Sequence, residues 1–220
     1  MRAIAVVSVL AALAMPALAD YFVAGSFQGW NPSDPAYVMA DMGGWYQYTV
    51  LGATGRHEWK VTVGDWSQTW PGNNARADFG ADGTFTINFY PGAQGDGWFP
   101  PQNRVGYVDK GLHGWDVMGS FNGWSAPVVT LSALGSGLYG GGYVVPTMGT
   151  YYFKFRKEGD WDISIGSDFS NYGYDITWTT TADNEPLYFL LDLPNGRWNV
   201  IPEPASLLGL ALLGLFIRRR

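Results

Sequence analysis

The hexapeptide GSFQGW at residues 25–30 decides the fold, because a near-copy, GSFNGW, stands 94 positions later at residues 119–124. Further matches follow in the same order, the first two at nearly the same spacing and the third, near the end of the repeat, at a wider one. They pair HEWKV at 57–61 with YYFKF at 151–155, GDW at 64–66 with GDW at 159–161, and FTINF at 85–89 with LYFLL at 187–191. Ordered matches at one period indicate internal repetition. The sequence therefore predicts two copies of one domain.

Both copies have the sequence pattern of short β-strands. Alternating or aromatic-rich segments are separated by clusters of Gly, Pro, Asn and Asp, and no segment between residues 20 and 200 keeps a helical apolar period. We predict an all-β protein of two tandem immunoglobulin-like β-sandwich domains, because each copy has about the size of such a sandwich. The predicted boundaries are residues 20–97 for the first sandwich, 98–113 for a Pro/Gly-rich linker and 114–200 for the second sandwich.

The motifs resemble the starch- and glycogen-binding modules of carbohydrate-binding module families 20 and 48, which have an early-set immunoglobulin-like fold. The shared order is Gly-Ser-Phe-x-Gly-Trp, a strand with Lys between aromatic or apolar residues, and Gly-Asp-Trp. The resemblance covers most of both repeats. It implies a sugar platform made of the Trp that closes the first motif, the strand Lys and the Trp of the next hairpin. At the matching positions these residues are Trp30, Lys60 and Trp66 in the first repeat and Trp124, Lys154 and Trp161 in the second.

Two further residues belong to the expected sugar site. Trp70, four residues after Trp66, would extend the first platform. The family usually places an Asn in the loop before the last strand, and the second repeat offers Asn184, whereas the first has Asp82 and Gly83 in that region. This difference leaves open whether the first repeat binds in the same way or at all.

Sugar binding and core packing are competing interpretations of these tryptophans and lysines. An α-glucan needs exposed rings for the C–H faces of its pyranoses and polar groups for its hydroxyls. Strand alternation places Lys60 on the face opposite Trp59, so burial of Trp59 directs Lys60 outward, and the same alternation directs Lys154 outward. However, tryptophan is usually largely buried and a surface lysine is usually only solvated. The exposure of the rings decides between the two.

Residues 1–19 have the pattern of a secretory signal peptide. A positive start at Arg2, an apolar run and small residues before Asp20 predict cleavage after Ala19. The alternative is a transmembrane helix. It is disfavoured because the apolar run is shorter than the roughly 20 residues that span a bilayer and closes at Pro16.

Residues 201–220 combine Pro-Glu-Pro, a short apolar helix and an arginine cluster, and this order resembles the PEP-CTERM sorting signal. The resemblance implies a Gram-negative bacterium, transient insertion of the C-terminal helix in the inner membrane, and cleavage by an exosortase on the way to the cell surface or extracellular matrix. The alternative is an amphiphilic tail helix packed on the domain, but the apolar stretch lacks a polar face. The residues of the predicted signal are Pro202, Glu203, Pro204, Arg218, Arg219 and Arg220.

Composition excludes several classes of function. Acidic residues number 19 against 13 basic ones, and four of the arginines lie at the two ends, so the body of the chain is strongly acidic. Nucleic acid and anionic lipid are excluded as partners because both need clustered basic side chains. The absence of cysteine excludes disulfides and thiolate sites. With two histidines and no recognisable pair of catalytic carboxylates, we expect no metal, no cofactor and no enzymatic activity.

These features predict an exported, non-catalytic surface protein that binds an α-glucan or exopolysaccharide through aromatic platforms on two modules. Its processing partners would be signal peptidase and an exosortase. The alternative is a structural or adhesive protein of the extracellular matrix or biofilm, in which the same fold serves as a spacer. Sugar binding requires Trp66 and Trp161 to face solvent close to their lysines, whereas a spacer would bury or scatter them.

Overall fold

The computed structural model describes residues 20–93, 95–110 and 113–202. The predicted signal peptide and the predicted C-terminal helix lie outside these ranges. Also outside are five residues of the predicted sorting signal: Glu203, Pro204, Arg218, Arg219 and Arg220. Pro202 is the last residue of the final strand. No helix within the described ranges has the length and apolar character needed to cross a membrane.

The first repeat consists of seven strands in two antiparallel sheets. One sheet has the order β1-β4-β5 and the other the order β2-β3-β6-β7. A short 3-10 helix at Pro35–Tyr37 precedes β2. The strands are β1 Phe22–Gly25, β2 Ala40–Asp41, β3 Tyr46–Leu51, β4 Gly55–Thr62, β5 Thr69–Phe79, β6 Thr84–Ala93 and β7 Gln102–Tyr107.

The second repeat continues with eight strands, which β9 joins into one hydrogen-bonded series. The order is β12-β11-β8-β9-β10-β14-β15, and β13 also pairs with β11. A 3-10 helix at Ser120–Asn122 follows β8. The strands are β8 Trp115–Gly119, β9 Val129–Gly135, β10 Leu138–Val145, β11 Thr150–Lys157, β12 Asp160–Ile165, β13 Ile176–Thr179, β14 Glu185–Asp192 and β15 Arg197–Pro202.

Strand pairing is the same around the repeated motifs. In the first repeat, Ala24 of β1 lies opposite Lys60 of β4. In the second, Met118 of β8 lies opposite Lys154 of β11, which are the positions that the sequence repeat aligns with the first pair. The all-β sandwich prediction is confirmed.

One buried apolar cluster extends through both repeats. Alternation along β4 turns Trp59 and Val61 into it, and alternation along β11 does the same for Phe153 and Phe155. Trp198 of β15 belongs to the same cluster. Burial of one large apolar side chain contributes about 1.5–3 kcal/mol. This shared core therefore stabilises a chain that has no cysteine for disulfides.

The segment 98–113, which the sequence predicted to be a linker, contains strand β7. This strand pairs with β6 and completes the second sheet of the first repeat. Before it, Phe99 forms a backbone bridge with Trp198 of the second repeat, and the two rings stack with centroids 5.0 Å apart. Two prolines just before this strand, Pro100 and Pro101, and Gly106 within it made its sequence look like a linker. A buried Arg104, whose guanidinium binds Asp96, further weakened its apolar alternation.

The turn between β14 and β15 packs directly on β7. The Tyr107 N–H donates to the carbonyl of Leu193 at 2.9 Å, and the side-chain amide of Asn88 donates to the carbonyl of Pro194 at 3.0 Å. Gly106 allows this approach, because a Cβ there would lie 2.5 Å from the backbone N of Gly196 and 2.6 Å from the carbonyl O of Leu193. Backbone atoms cannot yield as a flexible side chain can, so the contact requires glycine.

We expect Gly106→Ala to lower the free energy of unfolding by about 1–3 kcal/mol, the usual cost of overpacking. The added methyl group must push the β14–β15 turn away from β7. Urea unfolding, followed by tryptophan fluorescence and by circular dichroism, measures the change. Gly95→Ala is the matched control, because a Cβ at Gly95 meets nothing within 4 Å. Equal stability of the two variants would contradict a close-packed junction.

Candidate functional site

Each repeat carries a pair of neighbouring tryptophans. Trp30 and Trp66 have ring centroids 6.4 Å apart at an interplanar angle of 42°, and Trp124 and Trp161 have centroids 6.0 Å apart at 47°. Trp66 is 49% exposed and Trp161 is 42% exposed, while Trp30 and Trp124 are partly buried. The structure therefore brings together the two tryptophans predicted for each platform and leaves one ring of each pair accessible.

The first motif builds the tight turn that carries one ring of each pair. The Trp30 N–H donates to the carbonyl of Gly25 at 3.1 Å, and the Trp124 N–H donates to that of Gly119 at 2.9 Å. Glycine is needed at the start of the turn. A Cβ on Gly119 would lie 2.7 Å from the Tyr152 carbonyl, and one on Gly25 would meet the Phe27 ring at 2.5 Å.

Both tryptophans adopt a left-handed backbone conformation that bulky residues rarely occupy. The φ angle is 63° at Trp30 and 62° at Trp124. Such a conformation costs on the order of 1–3 kcal/mol and persists where the surrounding structure imposes it, often at functional sites. The same strained geometry occurs in both repeats. Glycine or asparagine would adopt this conformation at lower cost, so the tryptophans in both repeats indicate that the rings themselves are required.

The two lysines face away from the core as predicted, but each already has a protein partner. The Lys60 ammonium donates to the carbonyls of Pro71, at 3.2 Å, and Gly72, and burial lowers its pKa. The Lys154 ammonium lies 3.4 Å from a carboxylate oxygen of Asp175. The structure thus supports the alternation argument, while directing both ammonium groups to partners within the protein.

Arg156 provides the cation beside the second tryptophan pair. Its guanidinium carbon lies 5.1 Å from the centroid of the Trp161 ring. The guanidinium also forms two bonds to the fully buried carboxylate of Asp116, at 2.6 and 3.0 Å. In the first repeat the corresponding strand pair is Phe22 and Thr62, so this ion pair belongs to the second repeat alone. Sequence reasoning missed Arg156, although it lies two residues after Lys154 and hence on the same strand face.

Trp70 does not extend the first platform as predicted, because its ring is part of the core packing. It stacks on Phe89 with centroids 5.0 Å apart and contacts the edge of Tyr21 at 6.1 Å. The ring packs against the buried cluster. The reason is its position in β5 directly opposite Val61 of β4, because opposed residues of an antiparallel pair share one face of the sheet and Val61 is buried in the core.

Asn184 lies at the other end of β11 from Trp161. Its backbone N–H donates to the carbonyl of Pro146 at 3.2 Å, just before β11 begins, whereas Trp161 follows the turn where β11 ends. At about 3.3 Å per residue, the strand separates the two ends by more than 20 Å. The predicted grouping of Asn184 with the second platform is therefore wrong.

Charged side chains connect the two repeats along β4, β5 and β12. The Arg56 guanidinium binds Asp78 at 2.8 Å within its own repeat, and Asp160 at 2.6 Å and Asp162 at 3.0 Å in the other. Lys157 crosses in the opposite direction and binds Asp78 at 2.5 Å. The hydrogen bonds from Arg56 and Lys157 lower the pKa of Asp78 to about 2, below its ordinary value of 3.8.

The comparisons with known proteins concern the C-terminus most directly. Residues 200–220 match the PEP-CTERM protein-sorting motif. The motif indicates a secreted protein that passes a membrane, is directed to the surface and is processed by an exosortase. It covers only the end of the chain and includes Pro202, Glu203, Pro204 and the arginine cluster.

Comparisons of the whole chain give little beyond this motif. No curated protein matches it. Among solved structures it is similar to a pullulanase from Bacillus acidopullulyticus, with 14% sequence identity and a TM-score of 0.32. The match covers 85% of this chain and 28% of that chain, so the protein spans less than a third of the enzyme's length. Similarity at this level does not establish a shared fold or function.

The different environments of Trp66 and Trp70 predict that their removal lowers stability by unequal amounts. We expect Trp70→Ala to lower the free energy of unfolding by roughly 2–4 kcal/mol, because a ring packed on the core is lost. Trp66→Ala should cost about 1 kcal/mol or less, because that side chain is half-exposed and loses mainly its contact with Trp30. Urea unfolding of both variants measures the difference. Equal costs would mean that Trp66 is a packing residue.

The low pKa of Asp78 predicts a stability loss in acid. Because folding lowers this pKa, the ionised group contributes stability that is full above its ordinary pKa and disappears as the pH falls towards about 2. Asp78→Asn should therefore be less stable than the parent protein at pH 6, and the difference should shrink between about pH 4 and pH 2. Urea midpoints measured across this range test it. A difference that stays constant would show that the carboxylate charge contributes nothing.

Proposed function

We propose that the protein is a non-catalytic surface protein that binds α-glucan or exopolysaccharide through its two tryptophan pairs. The observation that carries the proposal is the exposure of Trp66 and Trp161, each beside a second tryptophan held in a strained turn. Flat exposed rings offer the C–H face of a pyranose a stacking surface, and this is the contact that a neutral glycan makes best.

The tilt within each pair supports binding of a curved chain. Rings inclined by 42° and 47° cannot both lie flat against a straight, planar ribbon. They can contact successive sugars of a chain that turns between residues, as the α-linked glucans do. In the second repeat the Arg156 guanidinium beside Trp161 adds donors for hydroxyl groups. The groups around each pair bind and orient, and the proposal includes no reaction step.

The sorting motif at residues 200–220 supports the location of this activity at a bacterial surface. The proposal places the mature protein at the cell surface or in the extracellular matrix of a Gram-negative bacterium, where it would hold polysaccharide. A second candidate function is a matrix or adhesive protein that does not bind sugar. The shared core and the close-packed junction favour it, because both suit a stiff spacer.

Affinity electrophoresis separates the two candidates. The protein is run through native gels that contain amylose, pullulan, dextran or the exopolysaccharide of the host, beside Trp66→Ala and Trp161→Ala. We expect one glycan to retard the parent protein and the two substitutions together to abolish that retardation. Leu51→Ala is the control, because Leu51 is 74% exposed but lies on β3, in the other sheet of the first repeat.

If the variant without both tryptophans is still retarded, the glycan binds elsewhere on the protein. The protein could also migrate at the same rate in every gel while circular dichroism shows that it is folded. That result would contradict sugar binding and favour the second candidate function, a matrix or adhesive protein. The single substitutions show how much each repeat contributes to retardation. If only Trp161→Ala reduces it, the second repeat is the binding module.

A further inference from the structure

A polar cleft of about 390 Å³ lies where the two repeats meet. Four of its lining residues come from β4 and β5 of the first repeat, and two from the loop between β12 and β13 of the second, residues 166–175, here named the junction loop. None of the four platform tryptophans lines it. The lining residues are Glu58, Lys60, Asn73, Asn74, Asn171 and Tyr172.

The junction loop is fixed against the first repeat by main-chain and side-chain bonds. The Asn171 N–H donates to the carbonyl of Asn74 at 2.8 Å. The Tyr172 hydroxyl accepts from Arg76 at 3.1 Å and donates to Asp162 at 3.3 Å, while the Arg76 guanidinium lies 5.1 Å from the Tyr172 ring centroid. The cleft is therefore preformed.

Tyr172 presents an exposed ring in a strained conformation. Its φ angle is 55°, in the left-handed region, and the side chain is 57% exposed although its hydroxyl is held at both sides. A tyrosine gains nothing from this backbone conformation by itself, since glycine or asparagine adopts it at lower cost. The strain is consistent with a requirement for the aromatic ring at the edge of the cleft.

The cleft offers hydrogen-bond donors and acceptors in similar number. Lys60 uses two of its three N–H groups on the carbonyls of Pro71 and Gly72, which leaves one donor. Asn73 and Asn74 use their amide N–H groups on Tyr172 and Glu58, and within the described residues their Oδ1 atoms remain as acceptors.

Asn171 carries a buried amide that lacks a partner. The residue is 3% exposed, and its Oδ1 accepts from the Ser164 N–H at 2.7 Å. Its Nδ2 has no hydrogen-bond partner among the described residues. A buried unpaired donor is unfavourable and calls for an explanation. The Nδ2 atom is also closed to solvent, so Asn171 contributes to the wall of the cleft and is a reporter of binding there rather than a donor to the ligand.

Charge pairing narrows the class of ligand. The Glu58 carboxylate is bound by the Arg76 guanidinium and by Asn74, and the hydrogen bonds from both lower its pKa against the opposing effect of burial. The nearby Asp168 carboxylate balances the positive charge of Lys60. The cleft thus has no excess of either charge, which disfavours phosphates, carboxylates and metal cations. A hydroxyl both donates and accepts, and therefore fits such a mixed lining.

We propose that this cleft is a third saccharide site, formed by both repeats, that takes one or two neutral sugar residues with one ring against Tyr172. Its volume lies near the lower end of the range for small-ligand sites, about 300–1,000 Å³, and so fits a chain end or a short branch. The inference rests on the proposed function for its ligand class only, since it uses none of the platform tryptophans.

Nuclear magnetic resonance tests the cleft and the tryptophan pairs in one titration. The ¹⁵N-labelled protein is titrated with maltose, isomaltose and cellobiose, and side-chain amide and indole N–H signals are followed separately. We expect one disaccharide to shift the Asn74 and Asn171 side-chain amides, and a double Trp66→Ala, Trp161→Ala variant to retain these shifts. Tyr172→Asn should raise the dissociation constant at the cleft at least tenfold, because the ring is lost. Asparagine adopts the left-handed backbone conformation readily, so the backbone is kept.

Two further variants complete the test. Lys60→Met removes the remaining donor but keeps the length of the side chain, and it should also weaken binding. Tyr174→Asn is the matched control, because Tyr174 is 87% exposed, belongs to the same loop and does not line the cleft. It should bind as the parent protein does. Unfolding midpoints verify that each variant is folded.

The outcomes separate the two proposals. Shifts confined to the tryptophan indoles would overturn the cleft site and leave the platforms intact. Shifts confined to the cleft amides would support the cleft and count against the platforms. No amide shift with any of the three disaccharides, up to their solubility limits, or equal effects of Tyr172→Asn and Tyr174→Asn, would overturn the cleft site.

Discussion

Burial of aromatic and aliphatic side chains in a single cluster is the constraint on which the rest of the structure depends. Trp59 of the first repeat and Trp198 of the second contribute to the same apolar interior, with no disulfide to assist them. Since each repeat alone would leave part of this surface in water, the repeats must pack together. The glycine at position 106 and the ion pairs of Arg56 then decide how closely and in what orientation they do so.

This packing determines where binding surfaces can form. In each pair one tryptophan lies at the end of the tight turn of the repeated motif, and the other, Trp66 or Trp161, keeps almost half of its side chain exposed. The junction cleft exists only because the loop that carries Asn171 and Tyr172 is pressed against β5. Two kinds of candidate site therefore arise from one arrangement: one is duplicated with the domain, and the other is made by the contact between copies.

The sequence predicted the features that are local or repeated. Alternation along β4 and β11 and the all-β fold follow from short patterns, and the pairing of Trp30 with Trp66 follows from the resemblance of the repeated motifs to a known family of modules. The errors have physical causes. Strand β7 was missed because Pro, Gly and a buried Arg104 interrupt its pattern, and Asn184 was misplaced because sequence order does not reveal which end of a strand a loop adjoins. Tyr172 depends on contacts between distant segments, which no local pattern encodes, whereas strand alternation from Lys154 could have indicated Arg156.

The repeats also differ in the charge beside their tryptophan pairs. Within the part of the chain that the structure describes, a guanidinium lies above a ring of the second tryptophan pair and not of the first, and it is anchored on a buried carboxylate. The two repeats thus carry two versions of one feature, which share a pair of tilted rings but differ in charge, because in one of them a cation rests against an aromatic face.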